Sequence, residues 1–247
     1  GAQLFGQLEV DPTVGAERQP QGWEISGRLD WITSWGIADV LLLMAETADH
    51  RVLQMLLPAR ERDGLTITGE LSLAAMGGTS TVGAVLDHMH VGDDEVAALL
   101  PKSAWLAADE LRTANVTPAV VGLARAAVDG LVQVARERQW AELLELGDSW
   151  RSRLVVDRAR AYELLDDVEP SELLPERLAL RASITTLAQD ATSMLVVAQA
   201  GRAMLTSSPA QRWAREALFA LVQAQTFSTR NAIIADYLKA PGAPGVR

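Results

Sequence analysis

His88 and His90 stand two apart in the run TVGAVLDHMHV, and alternate residues of a strand face one side, so the pair has the spacing of two metal ligands. No third ligand accompanies them, so they are expected to be a surface pair and no metal is expected. MGGTST at 76–81 has adjacent glycines but lacks the lysine and the spacing of a phosphate-binding loop. Ser34, Ser80 and the three histidines show no order that argues for a nucleophile, base and acid acting together. Asp166, Asp167 and Glu169 cluster at a predicted helix end and read as a solvated link. No local constellation specifies a reaction by itself.

Composition narrows the field. The absence of cysteine excludes disulfides, thiolate metal sites and cysteine nucleophiles. It suits a reducing compartment, and a cytoplasmic location is expected. The formal net charge is −10, with Lys102 and Lys239 the only lysines among 22 basic residues. So acidic a chain is a poor partner for nucleic acid or an anionic membrane, and a polyanionic ligand would need a local arginine patch. The longest apolar runs, such as VLLLM at 40–44, fall far short of the roughly 20 residues of a membrane helix. At 247 residues and 49% apolar content, the chain can build one large or two ordinary domains with real cores.

Two kinds of element must carry the candidate side chains. Over 1–102, short β-leaning runs (LFGQLEV, GWEISG, DWIT, DVLLLMAE, RVLQMLLP, LTITGELSL, TVGAVLDHMHV) alternate with turn signals, a spacing that predicts a small antiparallel barrel or sandwich. From 103 to 240 the texture changes to Ala, Leu, Arg and Glu with helical period. Leu180, Ile184, Leu187, Ala191, Met194 and Ala198 recur at steps of three and four and predict a buried seam along one helix. Ser208, Pro209 and Gln211 give the last helix an N-cap, a first-turn proline and a capping-box partner. Four helices of about 25 residues are expected, hence a four-helix bundle, with a loose tail over 241–247. The fold class is α+β.

Three segments carry a family likeness. The ending VAQAGRAMLTSSP, followed by QRWAREALFALVQAQTFSTR, resembles the FAD-binding end of the acyl-CoA dehydrogenase family. That family has a QxxGGxG-type turn there, then a Pro, an Arg followed by an acid, and a YEGT tetrapeptide. Aligned without a gap, Val197 takes the place of the Gln, and Ala200 and Gly201 that of the paired glycines. Pro209 and Arg215 match the Pro and Arg, and residues 223–226 take the place of YEGT. GWEISGRLDWITSWGIADVLLLMAE is similar to the family's middle β-domain, with Trp31, Ile32 and Thr33 as its WIT; AAMGGTSTVGAVLDHMHV is similar to a later strand of that domain, with Gly78 in place of Arg. VGLARAAVDGLVQVARERQW resembles VGLAxxALDxAxxYAxxRxxFG and puts Arg138 on the arginine that grips FAD across the dimer contact, a task suited to a planar fork of donors.

The resemblance implies FAD-dependent oxidation of CH–CH groups in acyl-CoA-type substrates, on a β-rich domain followed by a helix bundle. FAD, or FMN, would be contacted by Trp31, Thr33, Arg138, Gly201 and Thr226. A helical domain is implied ahead of this chain, which begins about where the family has an EPGAGSD loop; Gly6 matches there, whereas Gln7 and Leu8 replace the Ser and Asp. The family's catalytic Glu falls on Ala224, which has no proton acceptor. Some members carry the base on an earlier helix, and that place falls near Arg112, which leaves Glu110 as the fallback base. Each residue also has a plainer role: Trp31 as core, Thr33 as a strand end, Gly201 as a close helix approach, Glu110 as a solvated acid at a helix start. Two other functions stay open. One is a flavin monooxygenase of the same fold, which needs no YEGT glutamate, and the other is a non-catalytic oligomerisation or scaffold subunit. A homodimer or homotetramer through the bundle is implied, with an acyl-CoA-type ligand.

Overall fold

The computed structural model describes residues 13–239. The strand expected over LFGQLEV, the positions Gly6, Gln7 and Leu8, and the tail from 241 lie outside the described residues. Two compact units meet between Ala108 and Asp109.

The first unit is one seven-stranded sheet: β1 (Val14–Gln19), β2 (Gly22–Ile32), β3 (Val40–Thr47), β4 (Arg51–Pro58), β5 (Leu65–Glu70), β6 (Val82–Val91) and β7 (Val96–Pro101), in the order β5-β6-β2-β1-β3-β4-β7. Neighbours run antiparallel except β1 and β3, which pair in parallel through Gly15–Glu46 and Ala16–Thr47. The two runs expected over GWEISG and DWIT are one strand, β2. In β3, Leu41, Leu43 and Ala45 point inward while Val40 and Leu42 point out, the alternation a one-sided core demands. Ile25, Leu29, Leu53, Met55 and Met89 complete that core. The β1–β2 turn needs glycine: Gly22 has φ +116°, and a Cβ there would lie 2.2 Å from the Val91 carbonyl oxygen.

Helix α1 (Lys102–Thr113) leads out of the sheet; α2 (Pro118–Glu137), α3 (Ala141–Asp167), α4 (Leu174–Gln199), α5 (Pro209–Ala220) and α6 (Phe227–Lys239) follow. Three are long, with 20, 27 and 26 residues. Where a fourth long helix is expected, the chain forms α5 and α6 of 12 and 13 residues with a turn between them. The α4 seam is as predicted: Ile184, Leu187, Ala191 and Ala198 are fully buried, with Leu180 and Met194 half-buried. α2 answers it with Val121, Ala124, Val128, Leu131 and Ala135 at the same period. By length and composition Lys102–Glu137 is apolar enough to cross a membrane, yet half of its most apolar window is buried inside the protein. At the start of α5, Ser208 does cap the Ala210 N–H, but Gln211 donates to the carbonyls of Ser208 and Thr206, so the expected reciprocal box is not formed.

Two buried polar ties set the helix positions. Arg177 is 2% exposed and four of its five N–H donors are met: by the carbonyls of Val168, Glu169 and Glu172 at 2.9–3.0 Å and by Asn115 Oδ1 at 3.0 Å. The guanidinium thereby fixes the link between α3 and α4. Thr186 donates to Asp236 Oδ2 at 2.6 Å and ties α6 to α4.

Candidate functional site

The turn between α5 and α6 is built by contacts from outside itself. Ala224 lies in it, exposed, at φ 47°. A side chain with a Cβ holds that conformation at a cost of about 1–2 kcal/mol, so neighbours must impose it. Arg181 of α4 does so. Buried beneath the turn, it donates to the carbonyls of Gln223 at 2.8 Å and Ala224 at 3.1 Å, and through its other amino group to the carbonyl of Thr113 at the end of α1. Burial pushes the Arg181 guanidinium below its ordinary value. Arginine nevertheless stays charged, and the three carbonyl dipoles replace the water it has lost.

The start of α6 closes the other side. Thr226 and Thr229 form a reciprocal cap: the Thr226 N–H donates to Thr229 Oγ1 at 2.8 Å and the Thr229 N–H to Thr226 Oγ1 at 3.3 Å. Thr226 is buried, and its hydroxyl is spent on this cap. Beside it, Gln225 accepts from Thr229 Oγ1 at 2.9 Å, while its Nε2 is a buried donor with no acceptor among the described residues.

Glu110 reaches this corner. Ser228 Oγ in the first turn of α6 donates to Glu110 Oε1. The Glu110 backbone is pinned as well, its carbonyl accepting from the Ala114 N–H at 2.9 Å and from Thr113 Oγ1 at 3.3 Å. Asp109, its neighbour, is engaged by Arg112. Glu110 does not stand at a helix start; it lies in the last turn of α1, where the helix dipole opposes a negative charge. Dipole pairing therefore does not account for it. Half-buried and aimed at α6, it is not a solvated acid either.

The other predicted positions are presented separately by each unit. Trp31 is 41% exposed near the end of β2, with Ile32 pointing into the core and Thr33 exposed in the turn that follows, so Trp31 is not a core residue. Arg138 is the C-cap of α2 and is exposed. Gly201 lies exposed in a 3-10 turn after α4, and a Cβ there would meet nothing within 4 Å. Close helix approach is thus not the reason for this glycine. Ala200 before it takes φ 51°, ψ −138°, a conformation that belongs to glycine. His88, at φ 50°, bonds Glu24 Oε1 at 2.8 Å, which raises its pKa together with the charges of Glu24 and Asp87. Among the described residues no group of three or more acids and histidines is placed to hold a metal. Arg181 was not legible as a site residue, although an arginine beside the apolar seam of α4 was the available signal.

No family model matches the chain, and no curated protein matches it. Solved structures do. An acyl-CoA dehydrogenase from Geobacillus kaustophilus superposes with TM-score 0.80 at 14% identity, over 97% of this chain and 68% of that one. A glutaryl-CoA dehydrogenase from Mycobacterium smegmatis in complex with FADH2 gives 0.77 at 17%, over 98% and 64%. The flavoprotein nitroalkane oxidase gives 0.76 at 15%, over 98% and 65%, so this chain spans less than two thirds of those last two. At such identities the likeness is one of fold, and the fold of this chain is that of the acyl-CoA dehydrogenases and related flavoproteins.

Proposed function

We propose that this chain is part of a flavin-dependent oxidoreductase acting on CH–CH groups of acyl-CoA-type substrates, in which the proton acceptor stands on α1 instead of the α5–α6 turn. The observation that supports this is the Ser228–Glu110 hydrogen bond, which brings a half-buried carboxylate to the corner where Ala224 supplies none. A bound flavin would supply the hydride acceptor. The residues present fit such a group in part. On the sheet unit taken by itself, exposed Trp31 and Thr33 offer a ring and a hydroxyl; on the helical unit taken by itself, exposed Arg138 offers a guanidinium fork and Gly201 an open side. Thr226 does not fit, because its hydroxyl is buried in the cap of α6.

The full-length protein tests this directly. Added FAD is expected to bind and give a yellow protein, and acyl-CoA thioesters are expected to reduce a dye acceptor through it. Glu110→Gln is expected to lower that rate by at least a hundredfold, the usual range for a general base. Dye reduction undiminished by Glu110→Gln would overturn the assignment. Oxygen consumption with reduced flavin, indifferent to Glu110→Gln, would instead identify a monooxygenase. A second function has its own support: Val222 and Phe227, on either side of the Ala224 turn, are 68% and 70% exposed. Such a surface suits a homodimer or homotetramer formed through the bundle, or a non-catalytic scaffold subunit. A full-length protein that takes up no flavin would favour the scaffold.

A further inference from the structure

We infer that Ser228 is the positioning residue for the Glu110 carboxylate, fixing Oε1 so that Oε2 is the oxygen that takes a proton from a carbon acid. This rests on the assignment of Glu110 as the proton acceptor.

The geometry supports it in three steps. Glu110 is held at its backbone by Ala114 and Thr113, so its Cα cannot drift relative to the end of α1. Ser228 is held by α6, whose first turn is closed by the Thr226–Thr229 cap. Arg181 then joins the two elements, donating to Thr113 at the end of α1 and to Gln223 and Ala224 ahead of α6. Both ends of the Ser228–Glu110 bond are thereby mounted on one buried guanidinium. The side chain of Glu110 has one hydrogen-bond partner among the described residues, and it is on Oε1. A long, flexible carboxylate with one oxygen fixed keeps the other at a constant bearing. That is what a proton transfer over hydrogen-bond distance requires.

A local substitution separates this role from packing. In the full-length flavoprotein, Ser228→Ala is expected to slow flavin bleaching by butyryl-CoA and octanoyl-CoA about tenfold, the factor corresponding to one hydrogen bond to a charged group. Half-saturation and flavin content should not change, and Ser228→Thr, which keeps the hydroxyl, should recover most of the rate. A readout without turnover accompanies it: in protein labelled with 13C at the glutamate carboxyls, the resonance lost in Glu110→Gln should move in Ser228→Ala and stay in place in Ser103→Ala, a control on the exposed side of α1. If Glu110→Gln is inactive while Ser228→Ala bleaches at the wild-type rate or leaves the carboxyl resonance unmoved, Ser228 has no positioning role and Glu110 keeps its own. If wild-type protein with bound flavin is not bleached by either thioester, the assignment of Glu110 fails and the role of Ser228 falls with it.

Discussion

Ala200 is the residue most at odds with its own backbone. Its φ of 51° and ψ of −138° lie where a Cβ is crowded, and the adjacent Gly201, where a Cβ would meet nothing within 4 Å, takes no such conformation. Ala200→Gly is therefore expected to stabilise the folded helical unit by about 1 kcal/mol, the relief of strain exceeding the added freedom of the unfolded chain. A rise in the urea midpoint at unchanged slope would show it. A second residue-scale prediction concerns Glu46, which is 6% exposed in the sheet unit with Lys102 Nζ at 2.7 Å and His50 Nδ1 at 2.8 Å. Burial pushes this carboxyl up, but the hydrogen bonds from Lys102 and His50, with their charges, outweigh it and hold it below the ordinary Glu value. A depressed folded pKa gives stability that is present above the unfolded value and is lost as pH falls through the folded one. Glu46→Gln should thus cost about 2 kcal/mol at neutral pH, and the difference from wild type should shrink towards zero in acid. Denaturant titrations at neutral and acid pH measure both.

At the scale of elements, the sequence revealed what periodicity can reveal. The seam of α4 was legible because apolar residues at three-and-four spacing have one folded solution when a partner helix is present. β1 was not, because Glu17, Arg18 and Gln19 make it look like a turn, and it is a strand only through pairing with β2 and β3. The break between α5 and α6 was hidden for the same reason. ALFALVQAQT contains neither glycine nor proline, and the turn is imposed by Arg181, which lies on another helix. Glu110 was legible as an acid, but that it faces Ser228 could only come from the fold. Arg181→Met is expected to leave the carbonyls of Thr113, Gln223 and Ala224 unmet at a cost of about 3 kcal/mol. Amide exchange should then accelerate first over 221–229. Uniform acceleration across the bundle would contradict the view that Arg181 acts on this turn.

For the whole molecule, the residue texture changes near 102, and the chain divides into two compact units after Ala108. Exposed apolar residues around the end of the bundle were less legible, because they are defined only once α5 and α6 separate. Val197, Met204, Leu205, Leu218, Val222 and Phe227, all between positions 197 and 227 of the sequence, are each more than half exposed. So much apolar surface is expected to be covered by a second copy. Light scattering at micromolar concentration should give a dimer or tetramer, and Val222→Asp together with Phe227→Asp should shift it to monomer without changing the helical signal. A wild-type monomer would refute this.

The turn at Ala224 keeps its shape with no help from the side chain it displays. Arg181 grips carbonyl oxygens, and the α6 cap uses Thr226 and Thr229, so residue 224 contributes only a Cβ at a positive φ. Glutamate would strain that backbone no more than alanine does. Alanine and glutamate codons can differ by a single base. Whatever removed an acid from this position, or never placed one there, left a loop in which the change can run in either direction by one mutation, and the scaffold would not need to refold around the newcomer.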